Sequence, residues 1–213
     1  MGDTNQTTVI ICCAGMGTRL GIGTTKALVD ICGKPLIIRQ LEQLKQYDDI
    51  RIVVGFDAER VIRTVKEYRK DIMFVFNYEY EHTGTADSLR KALIGARDEI
   101  IALDGDTIVN TNDFNKFLMY DGDCIAISKD ATNEPIVADI LDGKVVELKK
   151  KNGHIQWSGM TRVKKEKLNK TERHVYDMLN TLMPMEYLEI RLKEINTQDD
   201  YEKAIEWYQN GCD

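Results

Sequence analysis

The sequence has few of the features that mark multidomain, secreted or membrane proteins. It contains only three prolines in 213 residues and no low-complexity linker, so no domain boundary is visible. It has no run of about 18 apolar residues, which a membrane-spanning helix would need. The N-terminal MGDTNQTT lacks the basic and then apolar layout of a signal peptide. We therefore expect a single cytoplasmic domain over residues 1–213 with no membrane partner.

An excess of positive charge is also missing. The chain has 29 lysines and arginines against 35 aspartates and glutamates, for a formal net charge of −6. A general nucleic-acid-binding protein needs a basic face that neutralises phosphates. The basic clusters at 149–151 (KKK) and 162–165 (RVKK) are too short to form such a face. We expect no nucleic-acid partner.

Histidine and cysteine show no metal-ligand spacing. The three histidines lie far apart, and the adjacent pair of cysteines does not match any zinc motif. The five cysteines are Cys12, Cys13, Cys32, Cys124 and Cys212. Because their number is odd and most lie in apolar stretches, we expect buried, reduced thiols.

Apolar stretches alternate with helical patterns through the first half of the chain. The patterns predict strands at 7–13, 51–56, 72–76 and 99–106 and helices at 35–47, 57–69 and 85–96. Asp57 is the expected N-cap of the second helix. Strands and helices that alternate at this spacing predict a largely parallel sheet with helices on both faces.

The second half of the chain is richer in strands. Short turns separate strand-like segments at 124–128, 135–140, 144–150 and 154–163, which favour a mixed sheet or a β-rich flap. Helices are expected near 172–183 and 198–209, with a strand at 188–195 between them. Thr197 and Asp200 have the spacing of a capping box.

The stretch CCAGMGTRLG, residues 12–21, has the composition of a phosphate-binding loop. Its third glycine is one residue late for the dinucleotide fingerprint, and the P-loop pattern is absent. What remains is a strand, a glycine turn that exposes backbone N–H groups, and then Arg19 and Lys26. A guanidinium fork and an ammonium point charge are both suited to holding a phosphate chain.

The longer string AGMGTRL, followed by KALVDICGKPLI, resembles the opening of the small-molecule nucleotidyltransferases, which activate phosphorylated small molecules. Cys12 and Cys13 replace the usual Leu-Ala, and the loop before Lys26 is short. The resemblance implies an α/β fold, a three-layer α/β/α Rossmann-like mixed sheet of the nucleotide-diphospho-sugar transferase type. It also implies a nucleotide-binding half at about 7–110 and an acceptor-binding half at about 111–213.

Two segments carry the nucleotide-binding residues that this resemblance implies. The first is the glycine loop, and the second is HTGTADSL (82–89), which resembles the loop that contacts the base and the ribose. In the second segment, Thr85 and Ser88 are expected to cap the following helix. The implied nucleotide-binding residues are Cys13, Ala14, Gly15, Met16, Gly17, Thr18, Gly84, Thr85, Ala86, Ser88 and Asp104.

Two acidic turns resemble the metal-binding segments of the family. In IALDGDTIV (101–109) the resemblance assigns Mg²⁺ to Asp106, and Asp104 supports the ribose or the turn. In EINTQDDYEKA (194–204) Asn196 replaces the usual second aspartate. An asparagine carbonyl can bind Mg²⁺ but brings no charge. Three alternatives stay open: Asp106 and the triphosphate hold the metal alone, Asp199 or Glu194 compensates, or the protein binds nucleotide without turnover.

The segment 130–160 resembles that of the compact phosphocholine cytidylyltransferases, which share its T-N-E turn and S-G strand. Within it, Lys150 is the lysine expected to meet the acceptor phosphate. Trp157 would form an aromatic wall for a quaternary ammonium group, although a simple core role fits this tryptophan equally.

The resemblance implies that an acceptor phosphate attacks the α-phosphorus of a nucleoside triphosphate and releases pyrophosphate. Arg19 would stabilise the leaving phosphates, and Lys26 would lie at the α-phosphate. We expect a Mg²⁺-dependent enzyme that uses CTP and a phosphorylated or phosphonate small molecule, for surface polysaccharide or phospholipid precursors. The alternatives are a sugar 1-phosphate nucleotidyltransferase using UTP, dTTP or GTP, and an impaired nucleotide-binding regulator. An oxidoreductase that uses NAD is disfavoured by the late third glycine.

Overall fold

A computed structural model describes residues 4–21, 23–130, 135–168 and 171–211. Its strands are β1 (Thr7–Cys12), β2 (Asp30–Ile31), β3 (Lys34–Pro35), β4 (Ile50–Val54), β5 (Met73–Phe76), β6 (Glu99–Asp104), β7 (Thr107–Val109), β8 (Cys124–Ser128), β9 (Ile136–Leu141), β10 (Lys144–Lys150), β11 (Gln156–Lys164), β12 (Glu186–Glu189) and β13 (Leu192–Glu194). Its α-helices are α1 (Leu36–Glu42), α2 (Ala58–Tyr68), α3 (Thr85–Ala92), α4 (Thr111–Leu118), α5 (Val175–Asn180) and α6 (Gln198–Gln209).

One large mixed sheet organises the described residues. Its main path runs β10-β9-β11-β6-β1-β4-β5, and β8 pairs with both β11 and β12. The four strands of the first half, β1, β4, β5 and β6, are mutually parallel, whereas β11 is antiparallel to β6. The prediction of a parallel first half joined to a mixed second half is confirmed.

Helices cover both faces of this sheet. On one face, Ile11 of β1 packs in a core with Leu41 of α1 and Phe117 of α4. On the other face, the neighbouring residue Ile10 packs with Leu89 of α3. Successive residues of a strand point to opposite faces, so β1 needs apolar side chains at consecutive positions. The predicted three-layer α/β/α fold is confirmed.

Two elements differ from the sequence-based expectation around the central turn. The strand predicted at 99–106 ends at Asp104, and β7 and α4 follow it. Helix α4 was missed, although Asn110 and Asp113 carry its start signal. The Asn110 side chain caps the helix by accepting a hydrogen bond from Asp113 N at 2.9 Å.

The strand predicted at 188–195 is in fact two strands. β12 extends the main sheet beside β8, and Ile190 N still donates to Ile127 O at 2.9 Å. One residue later, Arg191 O accepts from Asn110 N at 2.9 Å, and β13 then pairs with β7 in a separate small sheet. The chain thus leaves the main sheet after β12 and joins the small sheet at β13. This change places the turn after β13 near the carboxyl edge of the parallel strands.

Several smaller expectations need correction. The helix predicted at 85–96 ends at Ala92, where the buried Arg51 side chain donates to three carbonyls of the following turn. Asp57 holds the N-cap position of α2, but its carboxylate accepts from Thr24 Oγ1 at 2.6 Å and does not cap the helix. Cys32 is exposed because it lies in the turn between β2 and β3.

The other cysteines are partly or fully covered. Cys12 is half-buried, Cys13 and Cys124 are buried, and all described cysteines are free thiols, while Cys212 lies outside the described residues. Burial raises the pKa of the Cys124 thiol to about 12. Within the described part of the chain, no helix combines the length and apolar character needed to cross a bilayer.

The predicted capping box opens α6. Thr197 Oγ1 accepts a hydrogen bond from Asp200 N at 3.3 Å, and Asp200 Oδ2 accepts one from Thr197 N at 2.8 Å. Helix α6 packs through Ala204 against Ile31 and Ile195, so the box also fixes the chain just after β13.

Replacing this cap should weaken the fold measurably. We expect Thr197→Ala to lower the free energy of unfolding by about 1 kcal/mol, since one helix N–H loses its acceptor. Urea denaturation followed by circular dichroism measures the change. Gln198→Ala, at the next and exposed position, is the control and should stay within roughly 0.5 kcal/mol of the parent. Equal stability of Thr197→Ala and the parent would contradict the capping role.

Candidate active site

A polar cavity lies at the carboxyl edge of the parallel strands. Cys12 at the end of β1 is in register with Val53 of β4 and with Asp104 at the end of β6. A cavity of about 410 Å³ opens there, lined by the glycine loop, Lys26, the 104–106 turn, Thr85 and the turn after β13. In open α/β sheets this edge is the usual place for ligands.

The glycine loop wraps one side of the cavity. Gly17 (φ 59°) and Gly21 (φ 69°) adopt left-handed conformations that flank a short 3₁₀ turn carrying Arg19. A Cβ added to Gly17 would lie 3.0 Å from Lys26 Cγ, so the loop and the Lys26 side chain are closely packed. A Cβ added to Gly15 would have no such neighbour within 4 Å. The loop backbone is therefore accessible to a bulky anion.

The predicted catalytic and metal-binding residues meet at one point. Lys26 Nζ donates to Asp106 Oδ2 at 2.8 Å and to Asn196 Oδ1 at 2.5 Å. Arg19 Nη2 donates to the same Asn196 oxygen at 2.9 Å. The structure thus brings together four residues that the sequence separates by up to 177 positions.

Two backbone-anchored interactions hold the acidic turn in place. Ile195 N donates to Asp106 O at 2.9 Å as β13 leaves its pairing with β7. The buried Gln40 of α1 donates through Nε2 to Asp104 O at 2.9 Å and to Thr107 O at 3.1 Å. The sequence analysis did not identify Gln40. The feature of the sequence that could have identified Gln40 is its polar side chain at a position of α1 where the helical spacing predicts an apolar one.

Three carboxylates share this site. Burial, together with the negative charge of Asp106, raises the pKa of Glu194 to about 7, although Asn196, Lys26 and Arg19 oppose the shift. Burial, with Asp106 and Glu194 nearby, also raises the pKa of Asp104 well above its usual range. Burial and mutual repulsion therefore drive two of these three carboxyl groups toward the neutral form.

Carboxylate and amide oxygens, the ligand type that a hard cation such as Mg²⁺ prefers, line the cavity, although the described residues contain no cluster of three His, Cys, Asp or Glu side chains arranged to hold a metal ion. Asn196 Oδ1 already accepts two hydrogen bonds, which use both lone pairs of an amide oxygen. Asn196 Nδ2 donates to Glu194 Oε1 at 2.5 Å, while Glu194 Oε2 accepts no hydrogen bond from any described residue. Asp106 and Glu194 thus line the cavity as candidate carboxylates for a cation, and the metal assignment remains a prediction.

The alternative carboxylate, Asp199, does not lie in the cavity. It is exposed on the first turn of α6, where it pairs with Lys203 at 2.6 Å. Of the two residues expected to compensate for the missing aspartate, only Glu194 has the position to do so. Asn196 itself remains a predicted metal ligand.

Glycine at two positions lets the acidic turn pack closely. A Cβ on Gly105 would overlap Cys13 Sγ, and one on Gly159 of β11 would overlap the Asp104 carboxylate. Gly159 also has a φ of 76°, which disfavours any other residue. Burial and the nearby aspartates raise the pKa of the Cys13 thiol, so it lines the cavity as a neutral group.

Of the 82–89 segment, only Thr85 is among the described residues that line the cavity. Helix α3 has Gly84 as its N-cap, and Asp87 Oδ2 accepts a hydrogen bond from Gly84 N at 3.2 Å. The expectation that Thr85 and Ser88 cap this helix is wrong. Thr85 is the first helical residue and lines the cavity. Ser88 Oγ is buried and accepts from Asn77 Nδ2 at 3.0 Å.

Asn77 fixes this segment, and the sequence analysis missed it. The fully buried Asn77 side chain donates to Thr83 Oγ1 at 2.9 Å and accepts from Lys91 Nζ at 2.7 Å. Close packing adds a second constraint, since a Cβ on Gly84 would lie 2.7 Å from Arg173 O. Ala86 is buried in the adjoining core, so its predicted nucleotide contact, like that of Ser88, would be made by the backbone.

The predicted acceptor residues lie apart from this cavity. Trp157 on β11 is half-buried in the core, and its Nε1 donates to Met160 O at 3.1 Å. Lys150 is exposed at the end of β10, opposite Ile136. Neither residue is among the described residues that line the cavity. The T-N-E turn lies outside the described residues, and both acceptor assignments remain predictions.

Comparison with known proteins identifies related sequences and folds. Residues 9–151 match the profile of the MobA-like NTP transferase domain, which is more than half of the chain. A bifunctional protein GlmU from Methanococcus maripaludis is 32% identical over 200 residues, covering 87% of this chain and 45% of that protein. The chain spans about half the length of such curated relatives.

Two solved structures illustrate the likeness of fold. The CTP:phosphocholine cytidylyltransferase of Streptococcus pneumoniae has a TM-score of 0.75 and 25% identity, with 95% of this chain and 99% of that chain covered. A structure from Bacillus anthracis, described as a glucose-1-phosphate thymidylyltransferase, has a TM-score of 0.78 and 19% identity, with 96% of each chain covered. The second likeness shows the fold alone.

The crowded carboxylates predict an unusual dependence of stability on pH. A carboxyl whose pKa rises from 4.5 to about 7 on folding destabilises the protein increasingly as pH rises through that window. Glu194→Gln removes this effect and keeps an acceptor for Asn196 Nδ2. We expect the variant to gain up to roughly 3 kcal/mol of unfolding free energy at pH 8, and almost nothing below pH about 4.5.

Chemical denaturation in EDTA-containing buffer across this pH range measures the difference. Glu202→Gln, at an exposed position of α6, is the matched control and should follow the parent at every pH. Parallel stability curves for Glu194→Gln and the parent would contradict the proposed strain on Glu194.

Proposed function

The chain belongs to the MobA-like NTP transferase family, and we propose that it transfers a nucleoside monophosphate, preferably CMP, from a nucleoside triphosphate to a phosphorylated or phosphonate small molecule. The observation that carries this proposal is the contact of Lys26 with both Asp106 and Asn196 beside the glycine loop. Two cations and several carboxylates around an open glycine turn suit phosphoryl chemistry between polyanions.

The proposed reaction needs no general base. A phosphate or phosphonate oxygen of the acceptor is already anionic, and it attacks the α-phosphorus of the triphosphate. The bond from the α-phosphorus to the bridging oxygen breaks, and pyrophosphate leaves with the electron pair. The protein must hold two polyanions in line and neutralise their repulsion, which is mainly a task of positioning.

Lys26 and Arg19 supply the protein's positive charge. Arg19 follows the glycine loop, where its planar guanidinium can bind oxygens of the leaving phosphates. Lys26 lies deeper, beside the acidic turn, where its ammonium group can meet the α-phosphate. Asp106 and Glu194 would hold Mg²⁺, which when bound supplies the additional charge neutralisation.

The preference for CTP and a phosphocholine-type acceptor rests on the whole-chain likeness to the Streptococcus pneumoniae enzyme at 25% identity. Trp157 and Lys150, on the acceptor half, would then bind a quaternary ammonium and a phosphate. A sugar 1-phosphate acceptor is the second candidate. The segment TGTADSL, residues 83–89, favours it.

Pyrophosphate release tests these proposals together. Purified protein with Mg²⁺ is assayed with CTP, UTP, dTTP, GTP and ATP, each against phosphocholine, phosphoethanolamine, aminoethylphosphonate, glycerol phosphate and sugar 1-phosphates. We expect release with CTP and a phospho-alcohol or phosphonate. Asp106→Ala should lower the rate at least about 100-fold, since the leading metal carboxylate is lost, and should leave the circular dichroism spectrum unchanged.

Other results would change the proposal in defined ways. Release only with a sugar 1-phosphate would select the second candidate. If no nucleotide and acceptor pair gives pyrophosphate release, and the protein still binds a triphosphate, the result would indicate the impaired nucleotide-binding regulator. Near-normal rates in Asp106→Ala would show that the metal assignment is wrong.

Asn196→Asp tests the departure from the family pattern. The aspartate keeps an oxygen for Lys26 and Arg19 and adds a negative charge, although it cannot donate to Glu194. We expect kcat at saturating Mg²⁺ to stay equal or rise, and the Mg²⁺ concentration for half-maximal rate to fall. Asn115→Asp, exposed on α4, adds the same charge elsewhere and should change neither value. A large loss of rate would instead show that Asn196 is a specific requirement.

A further inference from the structure

The turn between β4 and α2, residues 55–57, contacts the chain near the start of the glycine loop and again just after the loop. Near the start, Ala14 O accepts a hydrogen bond from Phe56 N at 3.0 Å. After the loop, the Asp57 carboxylate accepts one from Thr24 Oγ1 at 2.6 Å. The turn itself is not among the described residues that line the cavity. Any effect of this turn on the site is therefore indirect.

Asp57 adopts a backbone conformation that aspartate rarely takes. Its φ of 54° and ψ of 32° lie in the left-handed region, which glycine occupies without strain. An N-cap aspartate normally has an extended backbone, and its carboxylate accepts a hydrogen bond from an N–H of the first helical turn. The Asp57 carboxylate makes no such bond. The side chain is directed to the glycine-loop region instead of capping α2.

Two side chains contact the Asp57 carboxylate, which is 17% exposed. Thr24 Oγ1 and Arg60 Nη1 both donate to Oδ2, at 2.6 Å and 2.9 Å. Arg60 is 52% exposed on the first turn of α2, so solvent screens this ion pair. The bond from Thr24 is charge-assisted and joins positions 33 residues apart. It is therefore the contact through which Asp57 can affect a distant segment.

The chain from Thr24 to Lys26 runs beside the glycine loop. A Cβ on Gly17 would lie 3.6 Å from Thr24 O and 3.6 Å from Lys26 N. Thr25, between them, is buried, and its Oγ1 donates to Cys13 O at 3.3 Å. Lys26 then begins a short 3₁₀ turn, from which its ammonium group reaches the acidic turn. The position of Thr24 thus determines how the chain enters the turn that carries Lys26.

We propose that Asp57 is a positioning residue for the transfer reaction, because by holding Thr24 it sets the place of the Lys26 ammonium group. This inference rests on the proposed function, in which Lys26 meets the α-phosphate. Asp57 contributes no group to the reacting atoms, and its hydrogen bond acts through the chain. A misplacement of about 1 Å at a reacting group can cost on the order of 100-fold in rate. A single hydrogen bond two residues from Lys26 is therefore sufficient to affect turnover.

Asp57→Gly separates positioning from stability. Glycine adopts this left-handed conformation without strain, which offsets the lost hydrogen bond, so we expect a urea midpoint close to that of the parent. NMR relaxation of the protein without substrates should show lower order parameters for the amides of Thr24, Thr25 and Lys26. Asp57→Asn keeps a side-chain oxygen for Thr24 and tolerates the same backbone, so it should restore the parent values.

Kinetics with the active substrate pair test the consequence for the reaction. Asp57→Gly and Thr24→Val should each lower kcat at least about tenfold, with a smaller change in KM, and Asp57→Asn should restore kcat. The double variant should lose no more than either single variant, because both remove the same bond. Arg60→Ala is the matched control, since it removes only the solvent-screened partner of Asp57 and should keep the parent kcat.

The two measurements separate this inference from the proposed function. Parent-like order parameters in Asp57→Gly overturn the inference, and so does a parent-like kcat in that variant when the parent enzyme is active. Losses of kcat that add up in the double variant overturn it too, because Asp57 and Thr24 then act independently. If the parent releases no pyrophosphate but Asp57→Gly still lowers the order parameters, the proposed function fails, while the hold of Asp57 on the Lys26 segment is supported.

Discussion

The ammonium group of Lys26 is the point on which the site depends. It contacts Asp106 after β6 and Asn196 after β13, so one side chain ties the glycine-loop region to two distant turns. Hydrogen bonds to charged groups are worth roughly 1.5–3 kcal/mol each, and more is lost when a buried partner is left without one. The sheet brings the three segments to one edge, but the Lys26 contacts fix their separation.

The same site holds three carboxyl groups beside two cations. Burial is the largest cause of the raised pKa values of Asp104 and Glu194, and repulsion from the other carboxylates adds to it. A protein selected only for stability would replace such carboxylates with neutral groups. The presence of these carboxylates is explained if a bound cation and a phosphate chain balance the charges of the site, as the family assignment implies.

Local signals predicted much of this arrangement. Consecutive apolar residues predicted β1, β4 and β6, because strands buried on two faces need them. The alternation of these strands with helical patterns predicted helices on both faces of the sheet. The motif resemblance placed Arg19, Lys26 and Asp106 at one site, and the structure brings these three close to one another.

What the sequence could not reveal depends on long-range contacts. Gln40 looks like an ordinary helix residue until its amide is seen to hold the carbonyls of Asp104 and Thr107. The role of Asn77 likewise requires knowing that Ser88 and Thr83 lie beside it.

The role of Asn196 also depends on a long-range arrangement, because it follows from the contact of Asn196 with Glu194. An aspartate at 196 could not donate a hydrogen bond to Glu194, whereas the amide donates to that carboxylate through Nδ2 while its oxygen accepts from both cations. The Asn196 amide therefore links Glu194 to the two cations, so these two residues must be interpreted together.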